Sequence, residues 1–236
     1  GDVMGSLPCE IQKVGGENVD VRVIMPLYKA VSDDFRSQMK TVYEGTVYVS
    51  WRQLYVGIRA LEYKGVTYYF VDNKYYFDRE TLYGYGDEGE RFAYFSKVAA
   101  ELPQLVGYYP DIVHAHDWSS ALTLVYINEK YRAVAGYENI KLVYTIHNIE
   151  YQGWASGSFF DDVLGLPWEY RGTLDMNNSV NVMKGAIETA DLVTTVSETY
   201  ARELMYPYYA HGLDGILSNN AWKLTGITNG IDTNTF

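Results

Sequence analysis

The spacing of apolar residues changes along the first part of the chain from the period of a strand to that of a helix. After a helix-like stretch over 4–14, runs rich in Val, Tyr, Thr and Ile predict strands at 19–25, 46–63 and 66–72. The pair Lys64-Gly65 predicts a tight turn between the last two strands. Over 87–102, apolar residues recur three and four positions apart, which predicts a helix that Pro103 ends.

Beyond Pro103, apolar strand patterns alternate with helical ones. Strands are predicted at 111–116, 141–147, 191–196 and 223–228, and helices at 119–130 and 179–190. A short helix that Ser197 caps is predicted to extend to Met205. Such alternation is typical of a parallel sheet with helices on both faces. No repeat, low-complexity tract or linker interrupts the pattern, so we predict an α/β fold and a single domain.

Polar residues follow the predicted parallel strands at their carboxyl ends. They are the segment His114-Ala115-His116-Asp117-Trp118, then His147-Asn148, Ser197 and Asn229-Gly230. Ligands of open parallel sheets bind at this edge, which makes it the candidate site. For Asp117 and Trp118 we favour a functional role, in which the carboxylate holds sugar hydroxyls and the indole packs on the ring.

His114 and His116 allow a second interpretation, because two histidines two positions apart on a strand point to the same face. This spacing is a known metal-ligand pattern, but the further ligands are limited to His147, His211 and scattered carboxylates. We therefore predict no metal, and for His114 we favour a buried, hydrogen-bonded histidine. The nucleophile motif Gly-x-Ser-x-Gly and the phosphate loop are both absent from the sequence.

Composition narrows the function classes further. With 19 basic and 30 acidic residues the net charge is −11, which argues against binding to nucleic acid or to an anionic membrane. The single cysteine, Cys9, cannot form an internal disulfide, and no apolar run approaches the roughly 18 residues of a membrane span. The 24 tyrosines suit contacts with sugar rings as well as a protein core.

An ordered set of motifs carries a family resemblance over essentially all 236 residues. They run from GDVMGSLP and YFDRETLYGYGDEGERFAYFSK through PDIVHAHDW, YTIHNIEYQG and NVMKGAIETAD to TTVSETYARE and ITNGID. In this order they resemble the bacterial glycogen synthases and plant starch synthases of glycosyltransferase family five. The resemblance implies the N-terminal, acceptor-side half of a GT-B fold, with a Rossmann-like parallel sheet flanked by helices and the C-terminal nucleotide-sugar domain absent.

The activity implied by the resemblance is transfer of glucose from ADP-glucose to the non-reducing end of an α-1,4-glucan, with retention and with no cofactor. By the same motifs, His147, Asp117 and Asn229 are implied as catalytic residues. Substrate contacts are implied for Asp2, Trp118, Tyr83, Tyr151 and Gln152. The fragment is expected to be inactive alone, since the cations that would bind the diphosphate are expected in the missing domain.

The chain departs from the family pattern in two places. The loop Lys-x-Gly-Gly-Leu-Gly and the strand before it should precede Asp2, and only Gly1-Asp2-Val3 remains, so a gap in the sheet is expected. Ser119 stands where many relatives have a histidine. Another GT-B nucleotide-sugar glucosyltransferase and a non-catalytic glucan-binding module stay open as alternatives. A bacterial cytoplasmic location is favoured over a plastid one.

Overall fold

The computed structural model describes residues 2–230, and these divide into two compact units. The first unit consists of residues up to Tyr48 together with Arg52–Arg91, and the second consists of Val49–Trp51 and the chain from Phe92 onward. The assignment of the whole chain to one domain stays a prediction. Within residues 2–230, no helix is both long enough and apolar enough to cross a membrane.

The first unit is built on a four-stranded sheet in the order β1-β4-β3-β2. Its elements are α1 (Asp2–Gly15), β1 (Arg22–Pro26), α2 (Asp33–Gln38), β2 (Lys40–Val49), β3 (Arg52–Tyr63), β4 (Val66–Asp72) and α3 (Lys74–Phe77). β1 runs parallel to β4, and β3 pairs with β4 as an antiparallel hairpin with Tyr63 opposite Val66. The hairpin turn predicted at Lys64-Gly65 is confirmed.

The strand predicted over 46–63 is wrong in one respect, since the structure divides it into β2 and β3. The chain turns at Ser50, whose φ of 52° lies outside the extended region and interrupts the strand. No glycine or proline marks this turn, so the residue types between the two apolar runs gave no signal for it.

Helix α4 (Glu88–Val106) begins in the first unit and ends in the second. The prediction that Pro103 ends it is wrong, because the helix continues for almost another turn and Pro103 lies inside it. The terminating residue is Gly107, which follows with a φ of 68°. A left-handed residue after the last turn is a common way to end a helix, and glycine adopts it without steric cost.

The second unit contains a parallel four-stranded sheet in the order β11-β10-β6-β5. Its strands are β5 (Ile112–His116), β6 (Lys141–Ile146), β10 (Leu192–Thr195) and β11 (Leu224–Gly226). The helices of this unit, after α4, are α5 (Trp118–Tyr126), α6 (Arg171–Leu174), α7 (Val182–Thr189), α8 (Glu198–Glu203), α9 (Pro207–Ala210) and α10 (Asp214–Asn219). The four strands predicted beyond Pro103 are therefore all present, each within two residues of its predicted ends.

A small antiparallel sheet in the order β7-β9-β8 was not predicted from the sequence. It is formed by β7 (Trp154–Ser156), β8 (Asp175–Met176) and β9 (Ser179–Asn181). Because β9 takes residues 179–181, the helix predicted from Ser179 begins three residues later, at Val182. Asn181 marks this start, since its side chain accepts a hydrogen bond from the amide of Lys184 at 2.8 Å.

Two further helices show how local sequence sets an end. Ser197 caps α8 as predicted, because its hydroxyl accepts from the amide of Tyr200 at 3.0 Å. Helix α5 starts at Trp118 and passes into a π-helical turn over Ile127–Tyr131, so that the predicted helix over 119–130 is present but changes its hydrogen-bond spacing near the end.

The last strand packs closely on α8 at Gly226. A Cβ at this position would overlap the carbonyl oxygen of Ser197 and the amide nitrogen of Glu198, which are backbone atoms that cannot move aside without shifting α8. Gly226 therefore permits the close approach of β11 to the first turn of α8.

Replacement of this glycine tests the packing of β11 on α8. We expect Gly226→Ala to lower the free energy of unfolding by roughly 2 kcal/mol or more, because the backbone must shift to admit the methyl group. The matched control is Gly215→Ala in α10, where a Cβ meets no atom within 4 Å. That change should leave stability unchanged or raise it by up to about 1 kcal/mol. Urea denaturation measures both, and equal stabilities for the two variants would contradict the packing argument.

Candidate active site

The candidate site lies where β5 and β6, adjacent in the parallel sheet, reach their carboxyl ends. His116 pairs in register with Thr145, so the residues that follow, Asp117 and His147, leave the sheet side by side. The sequence prediction that polar residues gather at this edge rests on the same rule, that parallel strands end at one side of the sheet.

Asp117 occupies a strained backbone conformation, with φ of 53° and ψ of −178°. Non-glycine residues rarely adopt this region, which costs about 1–3 kcal/mol, and where it persists the surroundings must hold it. Asp117 stands at the N-terminus of α5, but its side chain does not cap that helix. Its Oδ1 atom instead accepts hydrogen bonds from the backbone amides of His147, at 2.9 Å, and Asn148, at 3.3 Å.

The carboxylate of Asp117 thus connects the end of β5 to the start of the loop after β6. One oxygen is committed to this loop, while the second, Oδ2, makes no hydrogen bond or ion pair with any residue of the described range 2–230. The side chain is partly exposed. Asp117 therefore offers one carboxylate oxygen to a ligand while the other oxygen holds the neighbouring loop in place.

The loop over 147–153 is held from two further sides. The amide of Ile149 donates to the hydroxyl of Tyr200 in α8 at 3.3 Å. Gln152 is buried, with 3% of its surface exposed, and its amide nitrogen donates to the carbonyl of Ile149 at 3.0 Å and to that of His211 at 3.1 Å. Its amide oxygen accepts from Asn181 at 2.7 Å.

Gln152 consequently connects the loop to the N-cap of α7 and to the turn before α10. Both of its amide atoms are occupied by protein partners, so the observed part it plays is to hold the loop. The substrate contact implied for Gln152 stays a prediction. Tyr151, next to it, has 61% of its surface exposed and so presents its ring to solvent.

Three histidine rings form a row along this edge. The rings of His114 and His116 lie 4.1 Å apart between centroids, and those of His116 and His147 lie 5.3 Å apart, each pair tilted by about 30°. The Nδ1 atom of His116 lies 3.0 Å from Nε2 of His147, within hydrogen-bond distance. The Nδ1 atom of His147 makes no hydrogen bond with the described residues.

The row continues into the buried part of the sheet through two threonines. Nε2 of His114 lies 2.7 Å from the hydroxyl of Thr145, which in turn lies 2.6 Å from the hydroxyl of Thr194 on β10. The expectation for His114 is correct in its hydrogen bond but wrong in its burial, because the residue is exposed while both threonines are buried.

Burial controls the protonation of the inner histidines. It lowers the pKa of His116 to about 3, assisted by the nearby rings of His114 and His147, which disfavour a further positive charge. The pKa of His114 falls to about 4, because neighbouring protein atoms partly shield its ring from water and the nearby ring of His147 disfavours a further positive charge. His116 is therefore neutral at neutral pH, and its ring can donate one hydrogen bond and accept one.

Trp118 and Asn229 complete the predicted residues of the second unit. The Trp118 ring is partly exposed and packs edge-on against Phe92, with centroids 5.0 Å apart. Asn229 is exposed and follows β11, which is separated from β6 by one strand, β10. The structure thus brings Asp117 and His147 into direct contact and leaves Asn229 two strands away along the same sheet.

The other two predicted residues, Asp2 and Tyr83, belong to the first unit. Asp2 is the first residue of α1, and its side chain lies outside the described part of the structure. Tyr83 has 54% of its surface exposed, and its carbonyl accepts a hydrogen bond from the hydroxyl of Thr81 at 2.7 Å. Their substrate contacts stay predictions.

Sequence reasoning missed the contact between His116 and His147. The signal was present, because His116 lies on the same strand face as His114 and is the last residue of a strand that pairs with the one ending before His147. The histidine pair had been weighed as a metal ligand set. Among residues 2–230, no group of three or more His, Cys, Asp or Glu side chains is arranged to hold a metal ion.

Comparison with known proteins gives consistent matches. The family described as starch synthase catalytic domain matches residues 1–219. A glycogen synthase of Alkaliphilus metalliredigens (strain QYMF) is 42% identical over 238 residues, which cover 100% of this chain and 50% of the relative. A glycogen synthase of Streptococcus agalactiae serotype III (strain NEM316) is 45% identical over 235 residues, with 99% and 49% covered.

A solved structure gives the same result. The catalytic domain of starch synthase IV from Arabidopsis thaliana, bound to ADP and acarbose, matches with a TM-score of 0.87 and 31% identity. The match covers 100% of this chain and 49% of that one. The chain therefore spans about half the length of the relatives it matches.

The bonds of Asp117 to the loop can be tested without a ligand. In Asp117→Ala the strained backbone remains and the acceptor is lost, so the amides of His147 and Asn148 should exchange with solvent at least about tenfold faster. Asp117→Asn keeps an oxygen in the Oδ1 position and should exchange close to the unmodified rate. Hydrogen–deuterium exchange measures both, and unchanged protection in Asp117→Ala would refute the bonding role.

The lowered pKa of His116 predicts a stability that depends on pH. Above about pH 6.5, His116 is neutral in both the folded and the unfolded protein. Below that pH the unfolded chain takes up a proton at His116 that the folded chain excludes. The free energy of unfolding therefore falls as the pH falls. When the pH falls from about 7 to about 5, the free energy of unfolding of His116→Phe should drop by roughly 1–2 kcal/mol less than that of the unmodified protein. Ser119→Ala, which removes no titratable group and leaves the bonds between Ser120 and His116 in place, is the control and should keep the full loss. Urea denaturation at both pH values decides, and identical losses for all three proteins would contradict the assignment.

Proposed function

This chain belongs to the starch synthase catalytic domain family, and from that premise we propose that it forms the N-terminal, acceptor-side half of a retaining glucosyltransferase. The proposed reaction moves glucose from ADP-glucose to the non-reducing end of an α-1,4-glucan. The resemblance drawn from the sequence motifs is confirmed by the comparisons, and so is the α/β fold with a parallel sheet flanked by helices, which corresponds to half of a GT-B enzyme.

The observation that carries the proposal is the joint position of Asp117 and His147. Each side chain has one atom bound to the protein and one atom free of partners in the described residues, Oδ2 in Asp117 and Nδ1 in His147. A carboxylate oxygen and an imidazole nitrogen suit the hydroxyl groups of a hexose, because a hydroxyl both donates and accepts. In the proposal they bind the transferred glucose.

The chemistry follows from the kinds of group present. In the proposed step the bond between C1 of glucose and the diphosphate oxygen breaks, and the acceptor hydroxyl oxygen bonds to C1. The hydroxyl proton leaves with the diphosphate. Positive charge develops on the sugar ring in the transition state, and polar groups held in advance, such as the Asp117 carboxylate, stabilise that charge. Asn229 is proposed to bind the same glucose, and Trp118 and Tyr151 to pack on the sugar rings.

The diphosphate of the donor needs cations, and three lysines of the second unit are committed elsewhere. Lys97 pairs with Glu101 and also bonds the hydroxyl of Tyr131. Lys184 donates to the carbonyls of Gly172 and Thr173, and Lys223 to those of Glu188 and Ala190. We therefore propose that the donor phosphates are bound by a further domain, as in a GT-B enzyme whose site lies between two domains.

Two features of the relatives support this assignment of the donor and the partner domain. The relatives are about twice as long as this chain, which leaves room for a second domain. The starch synthase IV structure was bound to ADP, the nucleotide of the proposed donor. A bacterial cytoplasmic location is proposed with the function, and residues 1–236 alone are not expected to complete the transfer.

Glucosyl transfer by the complete protein tests the proposal. Purified protein should extend maltoheptaose with radiolabelled glucose from ADP-glucose, and His147→Ala should lower kcat by about a hundredfold or more, since the loss removes a transition-state contact. His211→Asn is the matched control, because His211 is exposed and asparagine tolerates its left-handed backbone (φ 48°). Its kcat should stay within about twofold of the unmodified value.

The possible results separate the alternatives. Transfer from UDP-glucose but not from ADP-glucose would overturn the donor assignment. Binding of maltoheptaose without transfer from any nucleotide sugar would indicate a glucan-binding module. Full activity in His147→Ala would remove His147 from the site.

A further inference from the structure

We propose that His116 is a positioning residue that fixes the ring orientation and the tautomer of His147. The proposal deepens the function proposed above and rests on it, because it gives His147 one defined atom for the sugar. His116 itself is assigned no contact with substrate.

The contact between the two rings leaves one nitrogen of His147 for a ligand. Nε2 of His147 is engaged by Nδ1 of His116 at 3.0 Å, so Nδ1 of His147 is the nitrogen without a protein partner in the described residues. In such a bond one of the two nitrogens donates its hydrogen and the other accepts it. A ring with one N–H that accepts at Nε2 carries that N–H on Nδ1, so the bond to His116 is coupled to whether the free Nδ1 of His147 donates or accepts.

His116 is itself held rigidly, as a positioning residue must be. Its amide donates to the hydroxyl of Ser120 at 2.8 Å, and the same hydroxyl donates to its carbonyl at 2.8 Å. Its ring lies between those of His114 and His147 in the row. Ser120 thus fixes the backbone of His116, and the two neighbouring rings pack against its ring, so His116 can hold His147 in a fixed direction.

The backbone of His147 is fixed independently. Its amide donates to Oδ1 of Asp117 at 2.9 Å, and Asp117 follows His116 directly in the chain. Two consecutive residues at the end of β5 therefore hold His147 at two points. Asp117 binds its backbone, and His116 binds its ring. A ring without the second contact could rotate about its side-chain bonds and exchange between tautomers.

The chain offers a matched control in His114. It lies on the same strand and the same face, and it stacks on His116, but its hydrogen bond goes to Thr145 and not to His147. A merely structural role of the histidine row would make substitutions at 114 and 116 similar in effect. A positioning role for His116 makes only position 116 important for turnover.

The kinetic experiment compares four variants of the complete protein. His116→Phe keeps a flat ring but loses the hydrogen bond, and we expect kcat to fall about 10–100-fold with KM for both substrates changed less than about threefold, as for other partners that orient a functional histidine. His116→Asn places an amide near the former Nδ1 and should recover most of this loss. His114→Phe and His114→Asn should both keep kcat within about threefold.

A second measurement reads the tautomer directly. Nitrogen NMR of the protein labelled with ¹⁵N-histidine distinguishes protonated from unprotonated Nδ1 and Nε2. His147 should show one tautomer in the unmodified protein and in His114→Phe, and averaged signals in His116→Phe. This readout needs no substrate, so it tests the coupling even if the protein does not transfer glucose, in which case only the proposed function fails.

Two results would overturn the inference. One is an unchanged His147 spectrum in His116→Phe, which would show that His116 does not set the tautomer. The other is an equal loss of kcat in His114→Phe and His116→Phe, or no recovery in His116→Asn, which would reduce the row to a packing role.

Discussion

The arrangement of the site depends on one hydrogen-bonded carboxylate. Oδ1 of Asp117 accepts the amides of His147 and Asn148 and so connects the ends of β5 and β6, while the backbone of Asp117 stays in a region that costs about 1–3 kcal/mol. A more relaxed backbone at this position would point the carboxylate elsewhere and leave the two amides without their acceptor. The strain thus accompanies a position in which one carboxylate oxygen binds the loop and the other has no partner among residues 2–230.

Buried polar side chains of the same unit are also hydrogen-bonded within the protein. Thr145 and Thr194 hydrogen-bond to each other across the sheet, and buried Gln152 uses both atoms of its amide on the protein. A buried polar group without a partner costs free energy, so these hydrogen bonds stiffen the floor of the site. A stiff floor is what electrostatic stabilisation of a transition state needs, because groups already in place do not have to reorganise during the reaction.

Much of this was predictable from the sequence, and the exceptions share a physical cause. Local periodicity and side-chain chemistry predict the parallel strands, the hairpin at Lys64-Gly65 and the cap at Ser197. Each of these features depends on residues that are close together in the sequence. The end of α4 at Gly107 and the late start of α7 depend on which of several plausible signals wins in the tertiary context. The turn at Ser50 has no glycine or proline to predict it. The contact of His116 with His147 depends on the order and register of β5 and β6, which no single segment of sequence contains. The only hint in the sequence is that the two histidines end strands that follow one another along the chain.

The cations of the second unit bear on how the proposed donor would be bound. Lys97, Lys184 and Lys223 of the second unit serve as internal hydrogen-bond donors, so these three cations are not available to a diphosphate. Burial lowers the pKa of these three lysines, because the charged form loses its hydration. Under the function proposed above, this edge of the sheet would meet the neutral glucose of the donor, and the further domain would bind the charged diphosphate. The proposed division between two domains follows from the chemistry of that donor, since glucose and diphosphate need different binding groups.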